Sequence, residues 1–115
     1  MAAPTLLRSY ALDRWHEAAG PAAEVFSAVT GETVARVSSA GLDLAAMAAH
    51  ARRVGGPALR RLTFHERATL LKKLAVHLGE HKAALYALST DTGATKTDSW
   101  IDIDGGIATL HVYAS

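Results

Sequence analysis

"TFHERATLLKKLAVHLGEHKAALYALST", residues 63–90, is the stretch from which the rest of the chain is read. Its first four residues have the form of a capping box. The Thr63 hydroxyl can accept from the Glu66 backbone N–H while the Glu66 carboxylate reaches back to the Thr63 N–H. Leu71, Leu74, Leu78, Leu85 and Leu88 then recur at helical spacing, which predicts one helix to about Thr90 with a leucine stripe against a core. Gly79 costs that helix about 1 kcal/mol relative to alanine, so close packing is expected there. Gly93 ends the helix.

Downstream, Trp100, Ile103, Ile107, Leu110 and Ala114 fall on one side of a second helix. Thr97 and Asp98 are placed to cap it, with Asp102 and Asp104 toward its positive end. Its far end has only His111 among the usual stop signals, so the chain reads as an incomplete piece. Upstream, Leu44, Met47, Ala48, Ala51 and Val54 form one helical face behind Asp43, and Gly55-Gly56-Pro57 is expected to stop it. Pro57 suits the first position of a further short turn, "PALRRL".

Before Gly41 the period is that of strands. "SYALDRW" and "EVFSAVTGETVARVSS" predict a small antiparallel β ribbon over about residues 9–39, broken at Gly20-Pro21 and turning at Thr30-Gly31-Glu32. The fold class is therefore mainly α with a short N-terminal antiparallel β ribbon, an α+β arrangement. Residues 1–115 are read as a single unit, with the helices over 42–115.

At 115 residues the chain has one domain's worth of core. Twelve basic and eleven acidic residues give a formal charge of +1, which implies no general attraction to nucleic acid or anionic membrane. No stretch approaches the roughly 20 apolar residues of a membrane span, and no signal h-region opens the chain, so a cytoplasmic protein is expected. Cysteine is absent, which removes disulfides, cysteine–zinc sites and cysteine nucleophiles from this stretch.

Four constellations were weighed for chemistry. His77 and His81 stand four apart on a helix, half of a metal site that needs a third ligand from elsewhere; solvent-facing side chains are expected instead. Arg52, Arg53, Arg60, Arg61, Arg67, Lys72 and Lys73 make the middle basic, but without aromatic interleaving they read as a solvated helix face. Gly105-Gly106 lie inside a helical pattern rather than between strand and helix, so they read as a close backbone approach, not a phosphate loop. Asp102 and Asp104, two apart, point to different sides of a helix and make a poor acid–base pair. No catalytic, cofactor-binding or metal-ligating residue is assigned to this stretch.

The same stretches resemble the N-terminal part of an aldehyde dehydrogenase. Thr30-Gly31-Glu32, Glu66-Arg67-Ala68 and Thr92-Gly93 are general features of that superfamily, and the run "TGATKTDSWIDIDGG", residues 92–106, narrows the likeness to the dehydrogenases of phenylacetate catabolism, often fused to a hydratase domain. The resemblance covers nearly the whole chain. It implies the N-terminal piece of an α/β dehydrogenase fold whose cofactor-binding strands, catalytic cysteine and general-base glutamate lie beyond the position of Ser115. The parent would oxidise an aldehyde, a CoA-linked semialdehyde from ring opening, to its acid with NADP or NAD. The cysteine would attack the aldehyde, hydride would pass to the nicotinamide and water would release the acid. Residues 1–115 alone are expected to bind no cofactor and to be inactive. Their expected partners are the rest of the dehydrogenase chain and a second copy, through Ile103, Ile107 and Leu110. The alternative is a free-standing helical module that dimerises by the same helix and has no activity.

Overall fold

A computed structural model describes residues 4–115. The chain divides into two units, one running to Ala58 and the other Leu59–Ser115.

The first unit holds five short strands, β1 (Thr5–Leu6), β2 (Ser9–Ala11), β3 (Arg14–His16), β4 (Ala23–Phe26) and β5 (Thr33–Val37). β2 and β3 form an antiparallel hairpin across Leu12-Asp13, whose φ angles of 54° and 59° give the left-handed two-residue turn that matches strand twist. Asp13 suits that conformation, whereas Leu12 adopts it at a steric cost. Tyr10 and Trp15 pair across the hairpin with ring centroids 5.3 Å apart, and the Arg8 guanidinium lies over the Trp15 ring. β4 and β5 pair antiparallel around a turn held by Ser27. Its buried hydroxyl accepts from the Val29 and Thr30 amides, while its carbonyl accepts from Gly31 at 2.9 Å.

Four of the strands lie within the expected residues 9–39, but β1 precedes them, and the strands form two sheets. β1 pairs parallel with β5, giving the order β1-β5-β4, so the larger sheet is mixed rather than wholly antiparallel. A two-residue strand is too short to display a period, and only the free edge of β5 reveals it.

Asp43 caps α1 (Leu44–His50) by accepting from the Ala46 N–H at 2.9 Å. Gly55-Gly56-Pro57 does not stop the helical run. A π-helical turn, Ala51–Gly55, leads directly into α2 (Gly56–Arg60), with the Gly56 N–H reaching back five residues to the Ala51 carbonyl. The wider turn accommodates Pro57, which lacks an N–H and would crowd the carbonyl four residues before it in a regular helix. Leu44, Ala48, Ala51 and Val54 of the expected apolar face are exposed, and Met47 is half-buried.

The second unit consists of α3 (Phe64–Glu80), α4 (Lys82–Asp91) and α5 (Lys96–Tyr113), with α5 packed on both α3 and α4. The Thr63–Glu66 capping box is formed reciprocally, as expected. At α5 the cap is Thr95 rather than Thr97. The Thr95 hydroxyl accepts from the Asp98 N–H, and the Asp98 carboxylate accepts from the Thr95 N–H at 3.1 Å. Asp98 is thus the reciprocal partner three residues in, and the helix begins two residues earlier than Thr97 would allow.

The expected single helix to Thr90 is broken at His81. Its ring Nδ1 donates to the His77 carbonyl at 2.8 Å, taking the acceptor that a regular helix would offer to its backbone N–H. That N–H turns to Leu78 instead, and His81 leaves helical geometry at ψ 10°. The leucine stripe is only partly covered: Leu71, Leu78 and Leu85 are half-buried, while Leu74 and Leu88 are exposed. Ala75, with no exposed surface, and Ser99 are the innermost residues of this unit. A Cβ at Gly79, Gly105 or Gly106 would meet no atom within 4 Å, so the close packing expected at these glycines does not occur among the described residues.

Candidate functional site

The most connected polar cluster joins α4 to α5. Asp104 accepts a hydrogen bond from the Lys82 ammonium and another from the Tyr86 hydroxyl at 2.5 Å. Lys82 and Tyr86 stand four apart and so lie on one side of α4, facing one turn of α5. The ammonium and then the phenol hold the Asp104 carboxyl below its ordinary pKa, and donation to Asp104 raises that of Tyr86. A turn and a half away, the Ser89 and Ser99 hydroxyls meet at 2.8 Å. These contacts tie two helices together.

Asp104 therefore does not act at the positive end of α5. It lies well inside the helix and faces α4, whereas Asp102 is exposed, so the two carboxylates do diverge. The dipole position belongs to Asp98, whose pKa is lowered first by the Thr95 hydroxyl and then by the Thr95 amide. At α3 the Glu66 carboxyl is lowered in the same way, first by the Thr63 amide.

His77 and His81 are exposed as expected, with ring centroids 4.3 Å apart. The structure adds a third group that the sequence reading did not consider. Glu80 offers a carboxylate oxygen that lies, with one ring nitrogen from each histidine, in a set within 4.8 Å of one another. The signal was available: Glu80 is three residues from His77, the other spacing that places helix side chains on one face.

The basic residues are spread over several elements. Arg52 and Arg53 belong to the π-helical turn, Arg60 ends α2, and Lys72 and Lys73 line a shallow exposed face of α3 with Thr69, Val76 and Glu80. The Arg67 guanidinium folds over the Phe64 ring at 4.6 Å. Gly105 and Gly106 sit mid-helix beside Asp102 and Thr109 on an open face of α5. That placement does not fit a dinucleotide cradle, which needs glycines between a strand and a helix N-terminus.

What α5 displays is apolar surface. Trp100, Ile101, Val112 and Tyr113 are 59–74% exposed, while Ile103, Ile107 and Leu110 are half-buried. Phe64, at the start of α3, is 86% exposed and shares a groove with Tyr113 and Ser115. Among the described residues no helix is long and apolar enough to cross a membrane.

Comparison with known proteins gives this surface its context. The sequence pattern of the aldehyde dehydrogenase family matches residues 15–115. A 3,4-dehydroadipyl-CoA semialdehyde dehydrogenase from Aromatoleum evansii is 41% identical over 109 residues, which cover 94% of this chain and 21% of that protein. The chain thus spans about a fifth of the length of the curated relative it matches. With the match running from the first hairpin through α5, the chain belongs to the aldehyde dehydrogenase family.

Proposed function

We propose that residues 1–115 form the N-terminal structural segment of a cytoplasmic dehydrogenase of phenylacetate catabolism that oxidises a CoA-linked semialdehyde to its acid with NADP or NAD. The observation that carries this reading is the 41% identity, sustained over 94% of the chain, to a CoA-semialdehyde dehydrogenase. The absence of cysteine supports a structural rather than chemical contribution, because the reaction proposed for the parent needs a thiolate to add to the aldehyde carbon. On this reading the exposed apolar side chains of α3 and α5 are covered by the rest of the dehydrogenase chain.

The test is an assay of hydride transfer at 340 nm with a CoA-thioester semialdehyde and either nicotinamide cofactor. The 115-residue chain is expected to show no turnover alone and to restore turnover when co-expressed with the remainder of the dehydrogenase. Turnover by the chain alone would overturn the assignment of chemistry to other residues.

A second reading, a free-standing module that self-associates through α5, is favoured by the exposure of Trp100, Ile101, Val112 and Tyr113. Ile107→Asp with Leu110→Asp would then convert a defined dimer to a monomer in light scattering. A wild-type monomer would sink it.

A further inference from the structure

We propose that His77, Glu80 and His81 bind a divalent transition-metal ion of the zinc class at the junction of α3 and α4. One ring nitrogen from each histidine and a Glu80 carboxylate oxygen already lie within 4.8 Å of one another. Zinc bonds of about 2.0 Å in tetrahedral geometry require ligand atoms about 3.3 Å apart. His77 and Glu80 are exposed, so rotation about their side-chain bonds can close that gap without moving buried groups.

The second observation concerns His81. A carbonyl oxygen can only accept, so the contact from His81 Nδ1 to the His77 carbonyl fixes the proton on Nδ1 and leaves the lone pair on Nε2. Metal-binding histidines are commonly held in this way, with one ring nitrogen donating to a backbone carbonyl while the other faces the ion. The contact that breaks the helix thus also leaves Nε2 as the nitrogen of His81 able to ligate an ion. Two imidazoles and one carboxylate are a donor set suited to zinc, with water completing the coordination. Lys72 and Lys73 share an exposed face with His77 and Glu80, so their charges oppose a cation there.

The site bridges the last turn of α3 and the break before α4, so a bound ion would pin the break. This role is independent of the dehydrogenase reading.

The experiment is calorimetric titration of the chain with zinc chloride, in parallel with His77→Ala, Glu80→Gln and His81→Ala, helicity being checked by circular dichroism. One saturable equivalent is expected, weakened about tenfold or more in each variant, the scale on which supporting residues affect metal sites. Lys73→Gln is expected to tighten it. His16, His50, His65 and His111 remain in every variant, so unchanged binding in the variants would place the ion elsewhere and overturn the proposal, as would the absence of saturable binding in the wild type. Glu80→Gln decides the matter even if His81→Ala does not fold.

Discussion

The two units of this chain are held by different means. In the unit running to Ala58, strands of two to five residues depend on partners distant in sequence: β1 finds β5, and His16 reaches the Ala40 carbonyl at 2.9 Å. In Leu59–Ser115, α3 and α5 are each opened by a capping box within four residues and packed through a few small or half-buried side chains. The comparison teaches that local hydrogen bonds suffice to specify where helices begin, while strand pairing waits for the chain to fold back.

Four experiments bear on that comparison. The two tryptophans, Trp15 and Trp100, allow each unit to be followed separately in Trp→Phe backgrounds. The largest effect is expected from Ala75→Leu, which forces bulk into the wholly buried position of α3. The cost should be about 1–3 kcal/mol, read as a lower thermal midpoint of Trp100 fluorescence. No shift would mean that α3 and α5 are less closely packed than Ala75 indicates.

Gly41→Ala tests the strand unit. Gly41 has φ +81°, and a Cβ there would lie 3.1 Å from the His16 ring, so a loss of about 1–2 kcal/mol is expected in the Trp15 transition. Next, Thr63→Ala and Thr95→Ala should each cost about 1 kcal/mol in the helical unit, measured by urea denaturation. A negligible cost for both would show that packing rather than capping sets the helix starts.

The smallest effects are in pH. Glu66, Asp98 and Asp104 have lowered carboxyl pKa values in the folded chain. Each therefore contributes stability that is complete above its ordinary pKa and fades as pH falls through the folded value, so helicity should weaken below about pH 4. Tyr86 is shifted the other way, and its contribution is present at neutral pH and lost as pH rises beyond about 10. Asp104→Asn should flatten the alkaline limb and reduce the acid one, which Glu66 and Asp98 still carry; an unchanged alkaline limb would separate Tyr86 from the α4–α5 contact.

Much of this architecture was legible beforehand. The Thr63–Glu66 box, the turn at Thr30-Gly31-Glu32 and the family likeness all rest on neighbours in sequence. The exceptions are instructive. The cap expected at Thr97 and Asp98 gives way to Thr95, because Asp98 returns the hydrogen bond from three residues on. The break at His81 was missed because a leucine period says nothing of a side chain that competes for a backbone carbonyl. Glu80 joins the two histidines through the three-residue spacing to His77, which the four-residue spacing of the pair does not reveal.

The sequence by itself determined the start of α3 at Thr63, the β turn at Thr30-Gly31-Glu32 and membership of the aldehyde dehydrogenase family, since these depend on residues that meet within a few positions or on pattern alone. Tertiary structure alone decided that β1 would join β5 in parallel, that Lys82 and Tyr86 would converge on Asp104, and which leucines would face inward. Each of these is set by where separate elements come to rest against one another, and a period read along one element leaves its partner unspecified.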